Sequence, residues 1–239
     1  VNGRAMTGAN SPTAPMAIAH ILNTELGQDN VSGVSFDYDW KYAFTVDKKI
    51  NSKKLIEGIA SASPYIPRFN NMGNFKFDAI PPAGGTADQT IKEADCIDFS
   101  FSRTKIEDVK TRIILKYNWD YARDEFNDSV AIEIYFILPD NAADYDFDYY
   151  GLTPPFGAHF EIDHVNMGIV HPDSTLVIDD DRGKYIRDHE TAERFAKWFL
   201  LWSCNQHLKV KVKLPLKYMN LEIGDLVDFD SILGGVKPY

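Results

Sequence analysis

The densest group of side chains able to do chemistry is HFEIDH, His159 to His164. On a strand, side chains alternate between faces, so His159, Glu161 and Asp163 would share one face and His164 would point the other way. A histidine with two carboxylates could ligate a divalent metal, or Glu161 and Asp163 could serve as an acid–base pair. Residues two apart on a strand sit about 7 Å apart, so a metal would need a further ligand from elsewhere, such as His171. The plainer reading is the polar outer face of a sheet whose inner face carries Phe160 and Ile162, and it is preferred. The acidic run DYDFDYYG, Asp144 to Gly151, has the alternating carboxylates a hard cation wants. Its Gly comes late for a calcium loop, however, and the twelfth position is Pro155 where Glu is needed. Tyr145, Phe147 and Tyr149 fit a segment that buries aromatics and solvates acids. Asp179-Asp180-Asp181-Arg182-Gly183 reads as a turn. Trp198 and Trp202, four apart, read as core or subunit contact ahead of a sugar platform. No GxSxG, phosphate loop, dinucleotide fingerprint or HExxH occurs. The expectation is therefore no catalytic, cofactor-binding or metal-binding residue, no cofactor, and no enzyme.

Composition narrows the classes further. With 239 residues, 44% hydrophobic and 25% charged, the chain can bury a substantial core and is not of disordered type. A net charge of -10 disfavours a general phosphate-binding surface, because nucleic-acid affinity comes largely from Lys and Arg. A local stripe of Lys209, Lys211, Lys213 and Lys217 stands apart from that balance and reads first as a solvated strand face that deters edge pairing. Cys96 and Cys204 are the whole cysteine complement, which suits buried free thiols better than a disulfide framework. No window approaches the roughly 18 consecutive apolar residues of a membrane span, and no secretory signal is visible. The chain begins at Val1 without Met and stops at GGVKPY, as an excerpt of a longer protein would.

The stretch from Tyr185 to Phe229 organises the elements. Asp188 is a natural N-cap, and Ala192, Phe195, Ala196, Phe199 and Leu200 recur at helical spacing. Trp198, Leu201 and Trp202 widen that stripe, so the helix should be covered on more than one side, with Phe195, Phe199 and Leu200 beneath the following strand. From His207 the period becomes two: Leu208, Val210, Val212 and Leu214 alternate with Lys209, Lys211 and Lys213. Ile223-Gly224-Asp225 makes a turn, and Leu226 to Phe229 returns as a strand.

Upstream, Val1 to Pro15 reads as an arm. Met16 to Leu26 is a helix with Ile18, Ile21 and Leu22 on one face and Gly27 as its stop. Ser35 to Val46 holds one short strand. Asn51 caps a second helix carrying Leu55, Ile56, Ile59 and Ala60, which ends at Pro64. Strands are expected at Phe75 to Ile80, around Ile97 to Phe101, at Arg112 to Trp119, Val130 to Leu138, Ile162 to Val170 and Ser174 to Ile178, with a turn near Ile106 to Asp108. The fold class is α+β, mainly antiparallel β forming a small barrel or curled sheet. Two N-terminal helices and one apolar C-terminal helix pack on the strands. A helix-rich lobe over 1–95 precedes a barrel-like domain over 96–239, with an acidic aromatic excursion at 141–160.

Taken together, TAERFAKWFLLW, the lysine-alternating strand and LPLKYMNLEIGDLVDFD resemble the hub or tail-tip proteins of tailed bacteriophages. In that family an alanine-containing helix precedes strands with a GD turn near the end of a small β-barrel. PMAIAHILNTELG, INSKKLIEGIASAS and CIDFSFSRTKIEDVKTRIILKYNWDY resemble the family's upstream helices and the start of its barrel. The Asn141 to Phe160 excursion departs from the pattern. The resemblance implies a structural virion component, a baseplate hub-like ring at the tail tip joining the tail tube to the host-attachment parts. Its partners would be other copies of itself, as a trimer, and other tail proteins, with no membrane and no specific nucleic acid. Two readings of other classes stand beside it: a cell-wall-active hydrolase using the HFEIDH face, and a carbohydrate-binding module using Trp119, Tyr121 and the Tyr145 to Tyr150 run.

Overall fold

A computed structural model describes residues 12–28, 38–46, 48–80, 86–110, 112–133, 174–204 and 207–230. These group into two compact units, each drawn from three stretches of chain. The first takes the described residues of Val1–Ile80, Arg112–Glu133 and Thr175–Leu201; the second takes those of Pro81–Thr111, Ile134–Ser174 and Trp202–Tyr239.

In the first unit, helix α1 (Ala14–His20) opens with Pro15 in its first turn, where the missing N–H costs nothing, and continues as one π-helical turn at Ile21–Glu25. Ile18, Ile21 and Leu22 are buried, and Gly27 ends the element at φ 63°. Helix α2 (Ser52–Ser61) is capped as its sequence requires: the Asn51 side chain accepts from Lys53 N at 2.9 Å. Leu55, Ile56, Ile59 and Ala60 form its buried face. Strands β1 (Tyr65–Phe69) and β2 (Phe75–Ala79) make an antiparallel hairpin. Its turn is held by Asn70, whose side-chain oxygen accepts from Met72 N and Asn74 N. The sequence signals only β2, because Pro67 in the middle of β1 reads against a strand; in a two-stranded sheet the missing donor is tolerated at an edge. Residues 38–46 carry a single bridge, Thr13 with Lys41, in place of the expected strand, yet Trp40 and Tyr42 are almost wholly buried.

The central sheet of this unit is built on a later strand, β5 (Arg112–Asp120), which pairs antiparallel with β6 (Glu125–Glu133) and parallel with β7 (Thr175–Ile178). The hairpin joining β5 to β6 has Asp124 at φ 59°. Ile113, Leu115 and Tyr117 lie on the buried face of β5, and Ile178 meets them from β7. A 3-10 turn, Asp181–Tyr185, lies against β5 with Gly183 so close that a Cβ there would sit 1.9 Å from the Lys116 carbonyl oxygen. Helix α3 (His189–Ser203) follows. Asp188 caps it, accepting from Thr191 N and Thr191 Oγ1, both at 2.9 Å. Phe195, Ala196 and Leu200 are fully buried, while Phe199 is half-buried beneath the Arg182 guanidinium. The ring contacts of α3 run to Trp40, which lies 6.4 Å from Phe195 and 6.5 Å from Trp198 between centroids.

In the second unit, β3 (Gln89–Ile91) pairs parallel with β9 (Val227–Phe229), and β4 (Asp98–Arg103) pairs antiparallel with β8 (Leu208–Lys213). Two sequence expectations are corrected here. Strand β9 does not return onto β8. Pro215 removes a ladder donor just after β8, and the 3-10 turn Leu216–Tyr218 is tied down through Tyr218, which redirects the chain toward β3. The described strands also form four separate sheets with no closed barrel, and two of the pairings are parallel. The coarser expectation, an α+β fold with several antiparallel strands and three helices, is met among the described residues.

Candidate functional site

The strongest sequence candidates, His159 to His164 with His171, the acidic run Asp144 to Gly151 with Pro155, and the aromatics Tyr145 to Tyr150, lie outside the described residues, as does the 141–160 excursion. Among the described residues no group of three or more His, Cys, Asp or Glu is arranged to hold a metal ion.

Every other candidate has a describable place. Asp180 accepts the backbone N–H of Arg182 at 3.0 Å and takes that residue's guanidinium in two-pronged fashion, with Nη2 at 2.7 Å. The hydrogen bonds from the Arg182 side chain hold the Asp180 carboxyl below its ordinary range. Asp181 pairs with Lys184 and Asp179 with Lys116. The DDDRG run is thus a turn with its charges neutralised locally, as its composition implies. Trp119 packs edge-on against Phe126 with Lys184 above it, and the Tyr121 hydroxyl accepts from Thr45 N. Both aromatics are partly buried and engaged in intramolecular contacts. Trp198 belongs to the Trp40–Phe195 aromatic cluster, whereas Trp202 is 55% exposed and stacks on His207. Cys204 is buried, and desolvation pushes its thiol well up; Cys96 is only half-buried.

One polar contact escaped sequence reasoning. The Tyr117 hydroxyl lies 2.8 Å from His189 Nδ1. Burial raises the Tyr117 phenol above its ordinary value, so it stays a neutral partner at the imidazole. No sequence signal could have found it, because the two residues come from β5 and the start of α3, which only the fold brings together. The contact seats the first turn of α3 on the central sheet.

The lysine stripe resolves into two parts. Lys217 pairs with Asp95 and lies over the Tyr218 ring. Lys209, Lys211 and Lys213 line one exposed face of the β4–β8 ribbon, opposite Ser102, Ser100 and Asp98 respectively. Phe99, Phe101, Val210 and Val212 share the other face, with Phe99 left 40% exposed.

Beside it, the segment after Pro215 is unusual. The Tyr218 hydroxyl donates to Asp95 Oδ2 at 2.7 Å and accepts from Lys92 N, and Asp225 accepts from Glu222 N at 2.7 Å. Gly224, at φ 97°, provides the turn that a residue with a Cβ would resist. A segment fixed this firmly nevertheless points Leu216, Met219 and Ile223 outward, at 83%, 74% and 72% exposure. These three side chains form exposed apolar surface beside the β4–β8 ribbon.

No family model matches the chain, and no curated protein matches it in sequence. Among solved structures it is similar to the 43 kDa tail protein of prophage MuSo2 from Shewanella oneidensis, with a TM-score of 0.44 and 11% identity. That match covers 96% of this chain and 57% of the other, so the chain spans little more than half of that protein's length. A likeness of this size carries no functional argument by itself. No helix among the described residues is long and apolar enough to cross a membrane.

Proposed function

We propose that this chain is a structural component of a bacteriophage virion, a segment of the tail hub or tail tip that works by assembly and not by turnover. The observation that carries the reading is the segment from Asp188 to Phe229. A capped, aromatic-rich helix, a lysine-alternating strand and a GD turn occur there in the order that resembles the hub family. The segment is hydrogen-bonded through Tyr218 and Asp225, and Leu216, Met219 and Ile223 stand out from it. Long apolar side chains presented from a hydrogen-bonded segment are suited to burial by another chain, because the backbone beneath them is already ordered.

On this reading the partners are other copies of the chain, arranged as a ring, and neighbouring tail proteins at the end of the tube. Neither a membrane nor a specific nucleic-acid site is required. The residues that matter are those of the exposed surface; no catalytic residue, metal or cofactor is assigned.

Electron microscopy of tail particles labelled against the protein should place it on the tail axis at the end away from the capsid, and the purified protein should sediment as a closed oligomer. A free monomer at micromolar concentration that hydrolyses host envelope material would overturn the assignment.

A further inference from the structure

We propose that the outer edge of β4 pairs with the same edge of a second copy of this chain, antiparallel about a two-fold axis at Phe101. The contact lies wholly within the second unit and is independent of whether the chain also forms a ring.

The β4–β8 ribbon has two edges, and the sequence treats them differently. On β8, Lys209, Lys211 and Lys213 occupy every second position, so pairing β8 with its own copy would set lysine against lysine. β4 reads Asp-Phe-Ser-Phe-Ser-Arg, with no proline, glycine or lysine to discourage a further strand. Five of its six residues are exposed, so water reaches both of its faces. Phe99, in edge-to-face contact with Phe101 at 5.5 Å between centroids, is one of the five.

The backbone of that edge is open as well. In an antiparallel pair, alternate residues turn their N–H and C=O groups toward the neighbouring strand. Thr104 N donates to His207 O at 3.0 Å, and the register from that bond sets the phase. Asp98, Ser100 and Ser102 bond to β8, while Phe99, Phe101 and Arg103 turn their backbone groups away from it. These three have no other backbone partner among the described residues. A two-stranded ribbon is marginal in water, and a third or fourth strand beside an apolar face stabilises it.

The strand's own sequence identifies the occupant. Centred on Phe101, antiparallel pairing matches the three outward residues of one copy with the three of the other. Phe101 meets its counterpart, and Phe99 lies opposite Arg103 of the second copy, where a guanidinium can cover the half-wet ring. Ser100 lies opposite Ser102 of the second copy. The acidic end of each strand, at Asp98, comes beside the basic end of the other, at Arg103. A parallel pairing would set acid beside acid and base beside base. The result is a four-stranded sheet in the order β8-β4-β4-β8. Phe99, Phe101, Val210 and Val212 of both copies then share one apolar face, with the lysines of β8 kept apart on the two outer strands. A contact in which the same patch serves both copies is isologous and closes at two.

The test uses the full chain with three substituted versions, F99K, R103E and F99K/R103E. Circular dichroism melts establish that each folds. Sedimentation equilibrium is run up to about 100 μM, where a micromolar contact is close to saturated. Hydrogen exchange resolved to single amides is followed over the same series. The unmodified chain should pair, and the amides of Phe99, Phe101 and Arg103 should slow as concentration rises, while those of Ser100 and Ser102 should be slow throughout. F99K sets lysine against arginine and R103E sets acid beside acid. Each should weaken pairing by about tenfold or more, because the two-fold axis applies every change twice. F99K/R103E sets lysine against glutamate and should restore pairing. A chain that is monomeric throughout would overturn the inference, as would a double variant that folds but does not pair. Oligomers in which the three β4 amides exchange as fast as in dilute chain would also overturn it, while leaving the tail-hub reading standing. Slowing seen in assembled tail particles but not in the purified chain would assign the edge to another tail protein and overturn it too.

Discussion

Strands β5 and β8 have nearly the same alternating pattern and meet different fates. In RIILKYNWD, Ile113, Leu115 and Tyr117 are essentially inaccessible to water. In LKVKVK, Leu208, Val210 and Val212 reach only partial burial. The difference lies in what surrounds each strand. β5 has a neighbour on both sides, and the Asp181–Tyr185 turn presses on it through Gly183. Among the described residues β8 has one partner, β4, whose own Phe99 is 40% exposed. Alternation fixes which face is apolar, but the depth of burial depends on the layer laid over that face. A strand covered in this way contributes stability, whereas a half-covered ribbon has surface left to offer a partner.

Deleting the same ring from both regions tests that contrast most sharply. Phe195→Ala, at the centre of the first unit's aromatic cluster, should destabilise by about 3–5 kcal/mol in urea denaturation. Phe99→Ala on the ribbon should cost about 1 kcal/mol or less, because much of that ring is already wet. Equal losses would mean that the ribbon's apolar face is as well covered as the core.

Gly183→Ala comes next. Its new methyl would meet the Lys116 carbonyl oxygen and Phe126, so the turn must lift from β5, at a cost of about 1–3 kcal/mol. A thermal midpoint equal to that of the unmodified chain would show that the turn does not clamp the sheet.

A smaller effect is expected at the cap of α3. Asp188→Ala should lose about 0.5–2 kcal/mol. Burial pushes the Asp188 carboxyl up, but hydrogen bonds from the Thr191 amide and hydroxyl, with Lys41 and Arg194 nearby, more than offset this and hold it below the usual carboxylate range. A depressed folded-state value means that this stabilisation is fully present above the ordinary Asp range. It is lost as pH falls through the lowered value. Asp188→Asn should therefore flatten the acid limb of the stability profile; an unchanged limb would remove Asp188 from that role.

The smallest effect belongs to the lysine face of β8. Lys211→Ala should alter folding stability by no more than about 0.5 kcal/mol, as expected for an exposed residue with no ion pair among the described residues. A larger loss, read from the same urea curves, would mean that the lysine face is part of the fold and not free surface.

The sequence by itself determined the local elements. Asn51 and Asp188 were legible as caps because an Asx side chain just before an apolar-periodic run has one obvious use, the unpaired amides of the first turn. Gly27 and Gly224 were legible as a stop and a turn because their positions favour positive φ. DDDRG was legible as a turn, and the lysine alternation of β8 as a two-faced strand. Only the tertiary structure decided which strand pairs with which. β5 with β7 and β3 with β9 join segments far apart in the chain, and their register depends on contacts that leave no periodic trace in sequence. β1 was hidden by Pro67, and the Tyr117–His189 contact by the distance along the chain between its two members. Periodicity states which side of an element is apolar; the partner that covers it is chosen by long-range packing, and so is the surface that remains for another molecule.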